Sequence, residues 1–197
     1  MPPSEGLDAS KDVYYQINDI SRRRQAIDKT VISLIDGLAE SVWHHWLLLF
    51  NVVNGLIFAG TFIVPLLNKL GQTGMAGTLF RYYRILCVQN PSHSYFIFGY
   101  QMAMDQRMTA IFGAIFVSGI VFSLVGKDVR PLSWRLYVLF LVPIAVDGFT
   151  QLFGWRESNW QLRTITGVLF GVANVWLAVP QLQTYMALLQ SGDRVAR

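Results

Sequence analysis

The chain has 197 residues, of which 53% are hydrophobic and only 14% charged, with a mean hydropathy of +0.38. Soluble domains carry about 25% charged residues, so this depletion argues against a water-soluble domain and for a single membrane domain. The formal charge of +4 does not point to nucleic acid, because Arg22, Arg23 and Arg24 form the only basic run and no recognition motif accompanies them.

Residues 1–11 begin MPPSEGLDAS and offer little to bury, which predicts a disordered start. No apolar stretch follows early enough for a cleaved signal, so the first span is expected to act as an uncleaved anchor. Across residues 12–42, Ile27, Val31, Leu34, Ile35 and Leu38 recur at three- and four-residue spacing. That pattern predicts an amphipathic helix, either interfacial or partner-binding. Residues 46–67 are uncharged and long enough to cross a hydrocarbon core of ~30 Å. Trp43, His44, His45 and Trp46 stand at the entrance, where amphipathic rings favour the headgroup layer.

The connection that follows is rich in aromatic residues and is expected to fold on or into the membrane surface. A short amphipathic helix is predicted at 80–88, a turn at Asn90-Pro91-Ser92, and a second interfacial segment at 95–100. A rival fifth span at 94–104 is too short. Further spans are predicted at 108–125, 134–153 and 165–189, with Pro180 expected to kink or locally break the last. Gly113, Gly119, Ala110, Ala114 and Ser118 give the second span a small surface for close helix approach. Residues 191–197 are expected to form a tail. The fold class is therefore all-α: a polytopic four-helix transmembrane bundle over residues 43–190, with an amphipathic N-terminal helix and an interfacial segment between spans one and two.

Ten of the 16 Lys and Arg residues fall on the side of the two termini and six on the other. The positive-inside rule then places both termini in the cytoplasm of a multi-pass cell-membrane protein. Whatever the orientation, Asp105, Arg107, Asp147, Gln151, Arg156, Glu157 and Arg163 gather at one end of the bundle. Asp147 and Gln151 share a helix face, and a carboxylate below the headgroups needs a partner. Arg107 or Arg163 is the expected one. The group is read either as a clamp between helices or as a polar pocket. No Ser-His-Asp order, HExxH or Walker loop is present, so no residue is assigned a catalytic role. Cys87 is the only cysteine, which excludes an intrachain disulfide.

The run CVQNPSHSYFIFGYQMAMDQRMTAIFG, followed by DGFTQLFGWRESNWQLRTITGVLFG, is similar to the predicted membrane proteins of the domain of unknown function 2085 family. Asp147-Gly148, Gln151, Gly154, Glu157-Ser158, Arg163, Thr166-Gly167 and Gly171 match its pattern over about residues 80–172. The resemblance also implies cysteine and histidine positions that this chain has mostly lost. Cys87 is kept, and His93 and Asp105 are conceivable substitutes, so a metal at these three residues is one expectation. Two functional readings stay open: a pocket binding a lipid phosphate or another anion, and a noncatalytic accessory subunit packed against other membrane subunits.

Overall fold

The computed structural model describes residues 29, 31–34, 37, 41, 45–125 and 129–195. It divides into two units, Met1–Trp46 and Leu47–Arg197. In the first unit the described residues are helical, and Val31, Ile32 and Leu34 are exposed. The expected disordered start and most of the amphipathic helix at 12–42 lie outside the described residues.

Most of the described residues are helical. Among the described residues four helices are long and apolar enough to span a membrane: α1 (His45–Lys69), α3 (Gln106–Val125), α4 (Trp134–Leu152) and α5 (Trp160–Val195, with Trp160–Met186 as its apolar part). These are the four expected spans. The fourth starts five residues earlier than expected and continues helical into the residues assigned to the tail. Several polar side chains on the spans bond within the protein, as hydrocarbon surroundings favour. Asn54 donates to the Phe50 carbonyl at 2.8 Å and Asn174 to the Phe170 carbonyl at 2.7 Å. Asn51 ties α1 to α3 by donating to Ser123 Oγ at 2.8 Å.

Close helix contact rests on small residues, divided between two seams. On the α3–α5 seam, a Cβ built at Gly167 would lie 2.7 Å from the Arg107 carbonyl oxygen, and one at Gly171 would lie 2.7 Å from that of Ile111. Ala110 and Ala114 of α3 face these glycines. On the α1–α3 seam, Gly113 receives Phe58, and Gly55 receives Phe116. The small surface foreseen on the second span therefore serves two partners. α4 packs on α5, where the Tyr137 hydroxyl donates to Asn174 Oδ1 at 3.2 Å.

Pro180 does not break α5. Proline has no N–H to give to the carbonyl four residues back, here that of Trp176. The Leu132 N–H from the α3–α4 connection takes that place at 3.3 Å, and Trp176 Nε1 donates to the Arg130 carbonyl at 3.1 Å. A neighbouring loop satisfies the freed oxygen, so the helix continues.

The connection between α1 and α3 departs most from expectation. Helix α2 (Thr73–Tyr82) starts well before residue 80 and ends in a 3-10 turn, Tyr83–Ile85. Tyr83 reaches back to α1, donating to the Ile57 carbonyl at 2.7 Å across the notch at Gly60. The Asn90-Pro91-Ser92 turn is present, with Asn90 Oδ1 accepting from the Ser92 N–H at 3.1 Å. The segment at 95–100 is neither a span nor a helix. It belongs to an antiparallel hairpin, β1 (Ser94–Ile97) and β2 (Tyr100–Asp105), closed by Phe98 (φ 56°) and Gly99 (φ 80°). Positive φ at both central residues is the two-residue turn whose twist suits a hairpin. Lys69 Nζ sits 3.8 Å from the Phe98 ring centroid and holds the tip. Gln89 fastens hairpin to α2, donating to the Phe80 carbonyl at 2.6 Å and to that of Ala103 at 2.9 Å.

Candidate functional site: the polar end of the bundle

Three helix ends meet here: the start of α3, the finish of α4 and the start of α5. Asp105 precedes α3 and caps it, accepting from the Met108 N–H at 2.7 Å. Its other oxygen accepts from the Cys87 thiol at 3.3 Å, while Cys87 Sγ accepts the backbone N–H groups of Asp105 (3.3 Å) and Gln89 (3.4 Å). Burial pushes the Cys87 thiol up from the ordinary cysteine range, and the Asp105 charge adds to that despite the two N–H donors. A buried, protonated thiol is a poor nucleophile and a poor ligand.

Asp147, on the last turns of α4, is 1% exposed. Arg107 Nη2 bonds its Oδ2, Arg156 Nη2 donates to Oδ1 at 3.0 Å, and Gln151 Nε2 donates to Oδ2 at 3.2 Å. Of the two arginines left open by the sequence, Arg107 bonds Asp147 and Arg163 does not. Arg156, gathered at this end by the sequence, was not expected as a second partner of Asp147, and the signal for that pairing was Gly154. With φ 67°, Gly154 ends α4 in a left-handed turn in which its own N–H bonds the Gln151 carbonyl and the Trp155 N–H bonds that of Thr150. The reversal returns Arg156 to Asp147.

Arg163 is only 5% exposed. Its Nη1 donates to Gln106 Oε1 at 3.3 Å, and its Nε has no hydrogen-bond partner. Among the described residues no carboxylate pairs with it. Gln106, also buried and missed from the sequence, is in turn held by donating to the Ser94 carbonyl at 3.2 Å. A cavity of about 180 Å³ opens beside these groups, lined by His93, Asp105, Arg107, Met108, Gln151 and Arg163. Burial lowers the His93 pKa, and the Arg163 charge lowers it further. Glu157 stands exposed in the α4–α5 connection, outside this lining.

Two groups read from the sequence, with Asp105 in both, are therefore one. Arg107, Gln151 and Arg163 share a cavity with His93 and Asp105, while Asp147 anchors its wall from behind. The metal set is not assembled: among the described residues no three His, Cys, Asp or Glu side chains lie where they could hold an ion. Asp105 is occupied as a helix cap and thiol acceptor.

The family described as "Predicted membrane protein (DUF2085)" matches residues 87–177. An uncharacterised protein of Methanocaldococcus jannaschii is 36% identical over 141 residues, covering 67% of this chain and 90% of that protein. The chain belongs to this family. Another uncharacterised protein, from Methanothermobacter thermautotrophicus, is 31% identical over 90 residues, 46% of this chain and 81% of that protein. No solved structure matches the chain. The DUF2085 match begins at Cys87 and contains every residue lining the cavity, together with Asp147 and Arg156, whereas α1 and α2 lie outside it.

Proposed function

We propose that this membrane protein binds a small oxyanion, a lipid phosphate or a free anion, in the cavity at the polar end of the bundle. The observation that carries this is Arg163, a guanidinium 5% exposed with no carboxylate partner among the described residues and an open cavity beside it. A buried charge is costly unless paired. Asp147 is already shared by Arg107 and Arg156, so the cavity retains an uncompensated positive charge that a phosphate oxygen matches in geometry as well as sign. Arg107, whose Nε has no hydrogen-bond partner, supplies a further donor.

The test uses inorganic phosphate and the detergent-purified protein, with chloride at matched ionic strength as control. Phosphate is expected to stabilise the fold by about 2.7 kcal/mol at a hundredfold excess over its Kd. Arg163→Gln should lose that response while its ligand-free stability stays equal or rises, since an unpaired charge has left the interior. A phosphate response that survives in Arg163→Gln would sink this reading. Mass spectrometry of lipids retained in mild detergent separates a phospholipid headgroup from a free anion.

The same proposal places both termini in the cytoplasm and the cavity at the opposite face, supported by the excess of basic residues on the terminal side. Cys87 is buried and gives little labelling background. A thiol introduced as Arg130→Cys should react with a membrane-impermeant reagent only from the cytoplasmic side, and reaction from outside would reverse the orientation.

A second reading, the accessory subunit, draws on α4, in which Asp147 is the only buried residue. Recovery of other membrane subunits in stoichiometric amount, with no response to phosphate, would favour it.

A further inference from the structure

Between α1, α3 and α5 runs an apolar furrow formed by two hollows, of about 380 Å³ and about 330 Å³. They share Val117, Ser118 and Val172, so the furrow is continuous. One end lies beneath Tyr95, whose hydroxyl bonds Thr164 Oγ1, and the other reaches Val125, Val129 and Trp176.

The hairpin fixes the height of this furrow. Its root is continuous with Gln106 at the start of α3, Tyr95 touches the first turn of α5 at Thr164, and its tip meets Lys69, the last residue of α1. All three points are ends of spans, so the hairpin lies across the bundle end at headgroup level. The furrow descends from there into hydrocarbon depth. From Thr164 to Trp176 the helical rise is ~18 Å, more than half of a ~30 Å hydrocarbon core.

Something apolar must fill such a space. Water needs two or more polar partners; Tyr95 and Thr164 bond each other and the Thr109 hydroxyl is taken by the Met104 carbonyl, which leaves the Ser118 side chain alone in a lining otherwise apolar. A spanning helix is a cylinder at least ~10 Å across and ~30 Å long, on the order of 2,000 Å³, several times either hollow. Both volumes fall within the ~300–1,000 Å³ usual for small-ligand sites. We infer that the furrow is a binding site for one hydrocarbon chain of a bilayer lipid, entering beneath the Tyr95–Thr164 pair. It lies between α1, α3 and α5, whereas the anion cavity involves α3, α4 and α5, so either site stands without the other.

The protein is reconstituted in phosphatidylcholine vesicles doped with a phosphatidylcholine carrying a diazirine on its acyl chain. After photolysis, adducts should concentrate at Val117, Val121 and Val172 over the outward Val138, Val142 and Val146 of α4. Even labelling of all these positions would overturn the inference. Val117 is 57% exposed and lines both hollows. Val117→Trp should fill the space and cut labelling at Val121 and Val172 about tenfold, the effect of a 1.4 kcal/mol loss of affinity, while Val142→Trp leaves it unchanged. Conversion of a dimer to a monomer by Val117→Trp would instead assign the furrow to a second copy of the chain and overturn the inference. Should Val117→Trp fail to fold, the adduct map of the unsubstituted chain decides alone.

Discussion

Asp147→Ala is expected to cost about 3–5 kcal/mol, the range for breaking a buried ion pair from one side, measured by unfolding in a fixed detergent. The carboxylate is 1% exposed and holds Arg107, Arg156 and Gln151 at once. Its removal strands Arg107, whose side chain is 24% exposed, beside Arg163, which already lacks a carboxylate among the described residues. The two arginines differ in what they contribute. Arg156 is 49% exposed, so Arg156→Gln should cost no more than the ~0–1 kcal/mol of a surface pair. Arg107→Gln should fall between the two. The order Asp147, Arg107, Arg156 identifies the carboxylate as a clamp joining α3, α4 and the α4–α5 turn. An Asp147→Ala protein as stable as the parent would show that solvent or lipid already compensates these charges.

That clamp was legible in the sequence as far as periodicity reaches. Charge-free runs marked the four spans, and parity alone gathered Arg107, Asp147, Gln151 and Arg163 at one end. Which arginine meets Asp147 was not legible, because the answer turns on Gly154, whose left-handed conformation sends the chain back after α4. Gln106 escaped for a related reason: its partners, Arg163 and the Ser94 carbonyl, come from α5 and β1, and no local pattern announces them. Composition marked Tyr95, Phe96, Ile97, Phe98 and Tyr100 as an interfacial segment but not as strands of a hairpin. The strand register is set by a two-residue turn with a phenylalanine at positive φ, a residue that rarely adopts it. Asp105 was placed at the polar end by parity, whereas His93 was noticed only for the lost metal pattern and not for the cavity it lines.

Two glycines on α5 should respond to alanine in the opposite sense from a glycine on α4. A methyl group at Gly167 would lie 2.7 Å from the Arg107 carbonyl oxygen and 2.9 Å from Ala110 Cβ, and at Gly171 2.7 Å from the Ile111 carbonyl oxygen and 2.8 Å from Ala114 Cβ. These opposing atoms are backbone and Cβ, which cannot rotate away, so α3 and α5 must separate. Each substitution is expected to cost about 1–3 kcal/mol, the usual penalty of overpacking. The double variant should cost less than the sum, because one separation relieves both clashes. At Gly148 nothing lies within 4 Å, so Gly148→Ala in α4 should be neutral or stabilising by up to ~1 kcal/mol through helix propensity. Gly167→Ala carries a second consequence, since the carbonyl it displaces belongs to Arg107, a wall of the proposed anion cavity. Its phosphate response should weaken along with its stability, whereas Gly148→Ala, adjacent in sequence to Asp147, should keep both. Equal effects at Gly167 and Gly148 would mean that helix propensity, and not the close α3–α5 seam, governs these positions.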